Sequence, residues 1–204
     1  MSGCYFHLGQ SFWRHIAEKP GRTQKYKAEP DFRTRCNRFP ALSFVPPGQV
    51  HEYMRLLVAD EATRGDGWLN DIIDYFTRCY VGHEALGREV SGIFPKELWN
   101  MFQRVEDREP RTNNSLEAWH NAFAKGLAPH SPPWRVVWAY QREQCHQSKL
   151  RRDHENGRFT VNRRKKYKKL NACLERLIKK SQDDTLKGLD YLEKVASKIE
   201  ISCN

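Results

Sequence analysis

The chain has 204 residues, 39% hydrophobic and 12% aromatic, with 35 Lys or Arg against 25 Asp or Glu and a formal net charge of +10. That aromatic content excludes general disorder, the length suits one domain with a tail, and no apolar run approaches the ~20 residues of a membrane span. The opening residues, Met1-Ser2-Gly3-Cys4-Tyr5, lack the basic and apolar regions of a signal peptide, so an intracellular location is expected. Cys4, Cys36, Cys79, Cys145, Cys173 and Cys203 have no paired spacings and point to free thiols.

Apolar residues at helical spacing organise most of the chain. Tyr5, Leu8, Phe12 and Ile16 form one stripe of a first helix that stops at Pro20-Gly21, because proline has no amide to continue the ladder. Cys4 and His7 stand one turn apart at its start. A thiolate and a neutral imidazole supply half of a tetrahedral zinc shell, so this pair is a candidate metal site; the alternative is a packed Cys4 beside a hydrogen-bonded His7. No second Cys/His pair has matching spacing, which leaves His120, Cys145 and His146 as candidate completions.

A short charged helix is expected from Pro30 to Arg38, with Pro40, Pro46 and Pro47 punctuating the apolar stretch beyond it. Pro47 suits the first position of the next helix, where Val50, Tyr53, Met54, Leu57 and Val58 line one face as far as Ala62. A Gly65-Asp66-Gly67 turn then leads to a helix carrying Leu69, Ile72, Ile73, Phe76 and Tyr80. These stripes are read as core. Residues 81–91 are weakly patterned and expected to be a loop. Phe94 to Gln103 reads as a helix beginning near Pro95, followed by a polar connection over 106–110.

The run Arg111-Thr112-Asn113-Asn114-Ser115-Leu116-Glu117-Ala118-Trp119-His120-Asn121-Ala122-Phe123 reads as a helix with a polar start. Asn113, Asn114 and Ser115 can cap it, while Leu116, Trp119, Phe123 and Leu127 recur at helical spacing, and Trp119 and Phe123 are expected to anchor it in the core. Glu117 falls in the first turn, where a carboxylate either closes a capping box with Asn114 and opposes the helix dipole, or ligates a metal at an active site. His120, one turn on, has the same choice between packing and a site. Pro132 and Pro133 start a long helix whose apolar first half, Trp134, Val137 and Trp138, is expected to dock on the core. Its second half turns basic and ends at Asn156-Gly157. Two further stripes, Leu170, Cys173, Leu174, Leu177 and Ile178, then Leu186, Leu189, Leu192, Val195 and Ile199, suggest a terminal hairpin or a dimerising element.

The charge is local. Residues 141–180 hold 14 Lys or Arg and four Asp or Glu, so the whole excess of ten lies in that segment. Lys149, Arg151, Arg152, Arg158, Arg163, Arg164, Lys165, Lys166, Lys168 and Lys169 are candidate phosphate contacts, since each neutralised phosphate releases condensed counterions. The other readings are a solvated helix face or a nuclear import signal.

Three stretches, in order, resemble the C-terminal part of the Mutator-like element (MULE) transposases of animal genomes: Gly3-Cys4-Tyr5-Phe6-His7-Leu8-Gly9-Gln10, Phe39-Pro40-Ala41-Leu42-Ser43-Phe44-Val45-Pro46-Pro47, and Arg111 to Phe123 preceded by Phe94-Pro95-Lys96-Glu97-Leu98-Trp99-Asn100. The resemblance covers about residues 3 to 145. It implies a helical insertion (about 1–110), a Glu-bearing helix (about 113–127) and a following helix from 133. These belong to a transposase-domain portion, 1–145, of an RNase H-like core. A basic helical tail would follow at 146–204. It also implies that Glu117 is the last acid of an Asp-Asp-Glu set holding two Mg2+ or Mn2+ ions for phosphoryl transfer on DNA. The two Asp-bearing strands of the family precede the Cys-x-x-His segment with which this chain opens. Asp31, Asp60, Asp66, Asp71 and Asp74 fall on helices or loops of the insertion, and none sits on a strand opposite Glu117.

The expectation is thus a mainly α, nuclear, transposase-derived DNA-binding protein, without strand-transfer activity or bound metal on its own, that could self-associate through its C-terminal helices and has no membrane partner. The alternative is a domesticated helical DNA- or protein-interaction module with no enzymatic role.

Overall fold

The computed structural model describes residues 4–85, 88–112, 114–158, 165–199 and 201, and is mainly α-helical with one two-stranded hairpin. The chain divides into two compact units: residues 1–112 with 169–204 form a body, and residues 113–168 form an insert within it. The division falls elsewhere than the sequence boundaries, which closed the domain at 145 and set 146–204 apart as a tail. No helix among the described residues is long and apolar enough to cross a membrane.

The stripe of the first helix, α1 (Tyr5–Ala17), buries Leu8, Phe12 and Ile16. Next comes α2 (Arg22–Ala28), a two-turn helix that the sequence reading did not anticipate, entered through Gly21 in the left-handed region at φ +81°. The helix α3 (Pro30–Ala41) passes Arg38 and keeps Pro40 inside its last turn. Proline there removes only one late ladder bond, and burial of Phe39, Pro40 and Ala41 offsets that loss. After a 3-10 turn at Pro47–Gln49, α4 (Val50–Ala59) buries Val50, Tyr53, Met54 and Leu57, but Val58, expected on the same face, is exposed. A single turn, α5 (Glu61–Arg64), precedes α6 (Gly67–Phe76), which buries Leu69, Ile72 and Phe76 and is capped by Asp66, whose Oδ1 accepts from the Trp68 amide at 2.9 Å.

Beyond Phe76 the chain widens into a π turn at Thr77–Val81, closed by the Gly82 amide donating to the Thr77 carbonyl at 2.7 Å. In place of the expected loop, β1 (His83–Ala85) and β2 (Arg88–Val90) pair antiparallel, with His83 opposite Val90. The returning chain takes up the carbonyls that the helix end leaves open. Ile93 and Phe94 amides donate to Arg78 and Cys79 carbonyls at 3.1 and 2.8 Å, and Trp99 Nε1 donates to the Tyr80 carbonyl at 3.2 Å. Two glycines allow so close an approach: Gly82 lies at φ +82°, and a Cβ on Gly92 would stand 2.8 Å from the Cys79 carbonyl carbon. The single helix expected over 94–103 is two short ones, α7 (Lys96–Trp99) and α8 (Phe102–Glu106). Asn100 is pulled into extended geometry between them by donating Nδ2 to the Val45 carbonyl at 2.8 Å, and the Met101 amide donates to Ser43 at 2.6 Å.

The C-terminal stripes lie in the core. On α11 (Lys165–Gln182) Leu174, Leu177 and Ile178 are buried, and α12 (Gly188–Ala196), which packs on α3 and α4, buries Tyr191, Leu192 and Val195. Tyr191 donates its hydroxyl to the Phe44 carbonyl at 2.6 Å, Asn37 Nδ2 donates to the Ile199 carbonyl at 3.4 Å, and Arg38 pairs with Glu193 at 2.9 Å. The two stripes, read from sequence as a terminal hairpin or a dimerising element, bury these residues within the chain itself. Periodicity marks a face that must be buried but not the surface that covers it. Arg111 Nη2 donates to Asn171 Oδ1 at 2.6 Å, so the segments flanking the insert lie side by side within the body.

Candidate nucleic-acid interface

The insert is built on two helices, α9 (Asn114–Lys125) and α10 (Pro133–Glu155). Proline at the start of α10 costs no hydrogen bond, since the first amides of a helix have no partner within it. Trp119 on α9 donates Nε1 to Glu143 Oε1 on α10 at 2.7 Å, and Phe123 meets Tyr140 with ring centroids 4.6 Å apart. Trp119 and Phe123 stack on each other at 5.4 Å; expected to anchor the Glu117 helix in the core, they are half-buried and pack against α10 instead. Glu143 Oε1 also accepts from Gln147 Nε2 at 2.7 Å; the bonds from Gln147 and Trp119 hold this carboxyl below the ordinary glutamate range. At its far end α10 stops at Gly157, φ +70°, with the Arg158 amide donating to the Asp153 carbonyl at 2.8 Å.

Trp134, Val137 and Trp138, expected to dock on the core, are instead 71%, 55% and 55% exposed. The reason is angular. At about 3.6 residues per turn, Trp134 falls opposite Glu143, and Val137 and Trp138 flank it. Since α9 holds the Glu143 side, these three residues face away from it. Arg142 reaches back over Trp138, its guanidinium 5.3 Å from the ring centroid.

Of the candidate DNA contacts, Lys149, Arg151, Arg152, Arg158, Lys168 and Lys169 are all exposed. Arg163 and Arg164 lie outside the described residues, as do the side chains of Lys165 and Lys166. Residues 113–168 carry 12 Lys or Arg and four Asp or Glu, so the insert holds eight of the chain's ten net positive charges. Lys168 closes this unit and Lys169 opens the last segment of the body.

Glu117 sits in the first turn of α9, half-buried. The capping assigned to Asn113, Asn114 and Ser115 lies outside what is described. Cys4 is the half-buried residue before α1 and His7 is exposed in its first turn, while His120, Cys145 and His146 are exposed. No group of three or more His, Cys, Asp or Glu able to hold a metal ion occurs among the described residues. Three of the five candidate aspartates serve the body: Asp60 pairs with Arg38 at 3.1 Å, Asp66 with Lys25 at 2.9 Å and Asp71 with Arg22 at 2.7 Å. Asp31 is in the first turn of α3, and Asp74 lines a groove beside the hairpin. The described donors thus do not fit a two-metal centre, which needs its carboxylates convergent, or a closed zinc site, which needs four ligands.

No family model, curated protein or solved structure matches the chain.

The residues that sequence reasoning missed are Trp134, Trp138 and Arg142, as an outward-facing set. A signal existed: from Trp134 to Arg152 the one acidic residue is Glu143, on the opposite side of the helix, so a face without any carboxylate was already written at positions 134, 138, 149 and 152.

Proposed function

We propose that this chain is a transposase-derived, nuclear DNA-binding protein that contacts DNA through its insert and does not carry out strand transfer by itself. In this reading the body and α9 descend from the helical insertion and Glu-bearing helix of a Mutator-like element transposase with an RNase H-like core, and Glu117 is the remaining acid of its Asp-Asp-Glu set. The observation that carries DNA binding is the concentration of positive charge in residues 113–168, with Lys149, Arg151, Arg152 and Arg158 solvent-exposed along one helix and its end. A surface of this kind neutralises a run of phosphates and gains from counterion release.

The test is duplex binding by fluorescence anisotropy as a function of salt. Neutralising Arg163, Arg164, Lys165 and Lys166 to Gln removes about four phosphate contacts, which lowers the slope of log K against log salt by roughly 3 to 4. Unchanged affinity and slope remove the basic run from the interface. Metal-dependent nicking of DNA by the purified chain, lost in Glu117→Gln, would overturn the claim of inactivity.

A further inference from the structure

The outward face of α10 combines two features that seldom share a surface. Trp134 and Trp138 stand 71% and 55% exposed, and the charges beside them are all positive, because Glu143 is turned to α9 by its bonds from Trp119 and Gln147. Trp134 and Trp138 are one turn apart, about 6 Å along the axis. That rise is close to twice the ~3.4 Å spacing of stacked bases, the separation needed to hold one base between two aromatic planes. The guanidinium of Arg142 lies over the Trp138 ring, 5.3 Å from its centroid. Lys149 and Arg152 follow about 10 and 15 Å beyond Arg142 along the axis, which places further cations where the backbone of the same strand would run on.

Base faces are hidden in a duplex and open in a single strand, so only unpaired nucleotides answer both the indoles and the cations. An acidic peptide would answer the cations but offers no run of planar faces to the two exposed indoles. We propose that the outer face of α10 binds single-stranded nucleic acid, stacking unpaired bases on Trp134 and Trp138 while Arg142, Lys149 and Arg152 hold the phosphates. The proposal rests on the reading of the insert as a nucleic-acid surface and adds which form of nucleic acid it takes.

The experiment measures anisotropy of a labelled oligothymidylate and of a duplex of equal length with the full chain, its Trp134→Ala/Trp138→Ala variant and its Lys149→Gln/Arg152→Gln variant, with circular dichroism to check that helicity is kept. The tryptophan variant is expected to weaken single-strand binding by roughly 10- to 100-fold and duplex binding by less than about twofold. The charge variant is expected to weaken both. Equal loss of both ligands in the tryptophan variant overturns the proposal. Duplex binding that depends on Lys149 and Arg152, with no single-strand binding, overturns it while leaving the function above intact; failure to bind either ligand overturns both. A tryptophan variant that turns a dimer into a monomer in sedimentation equilibrium, with nucleotide binding unchanged, assigns the face to contact between copies of the chain and likewise overturns it.

Discussion

Replacing Tyr191 tests whether the C-terminal residues belong to the folded body. The ring is fully buried on α12, and its hydroxyl donates to the Phe44 carbonyl at 2.6 Å across a sequence separation of 147 residues. In Tyr191→Phe the ring stays and the bond goes, leaving a carbonyl of the fully buried Phe44 without this donor. Such a loss costs about 1.5 kcal/mol. In Tyr191→Ala the ring packed against Tyr53, with centroids 6.1 Å apart, is lost as well, and the cost rises to about 4 kcal/mol. For a protein of this size the two correspond to falls in melting temperature of roughly 3–6 °C and 8–16 °C. Thermal unfolding followed by circular dichroism, with urea titration to check that the denaturant slope is constant, reads both values. A solvated tail would show neither, since surface substitutions usually stay within about 0.5 kcal/mol. Two melting temperatures equal to the parent's would refute the docking of α12.

Asp71→Ala strands the guanidinium of Arg22, 1% exposed, which sits 2.7 Å from the Asp71 carboxylate; because Asp71 is itself 36% exposed, the cost is discounted to about 2 kcal/mol, and adding Arg22→Met should recover part of it in urea titration. Burial pushes the Cys36 thiol up to about 12 and raises the Tyr5, Tyr75 and Tyr191 phenols, so each is neutral in the fold at pH values where the unfolded chain ionises. The stability they contribute is complete below about pH 8.5 and is lost progressively as pH climbs from there through the folded values; a melting temperature flat from pH 8 to 11 would contradict this. Gly92→Ala drives a Cβ to 2.8 Å from the backbone at Cys79 and Tyr80 and should cost about 2 kcal/mol, with amide exchange rising first at Ile93 and Phe94, whose bonds to Arg78 and Cys79 it displaces.

On the helices of the body, most stripe residues agree between sequence and structure: Leu8, Phe12 and Ile16 on α1, Val50, Tyr53, Met54 and Leu57 on α4, and Leu69, Ile72 and Phe76 on α6 are core in both. These are short-range facts, written in a period of 3.6. The break at Asn100 was not legible because it is imposed by carbonyls of Ser43 and Val45, more than fifty residues earlier. Nor was the hairpin, whose second strand, Arg88–Val90, is exposed at all three positions and so lacks the alternation that marks a half-buried strand. For the candidate site the difficulty was of another kind. Trp134, Val137 and Trp138 look like core residues by type, and only the attachment of α9 to the Glu143 side of α10 turns them outward.

The pairing of Tyr191 with Phe44 also has a bearing on how the molecule is made. Ribosomes add roughly 5–20 residues each second, so the Phe44 carbonyl waits about 7–30 s for its donor. Throughout that interval Phe44 and Tyr53 lack the cover of Tyr191, whereas α9 and α10, near neighbours in sequence, are free to pair well before α12 is made. The nascent chain is thus most prone to capture by chaperones, or to clumping on the polysome, in its first half rather than in the cationic stretch that follows.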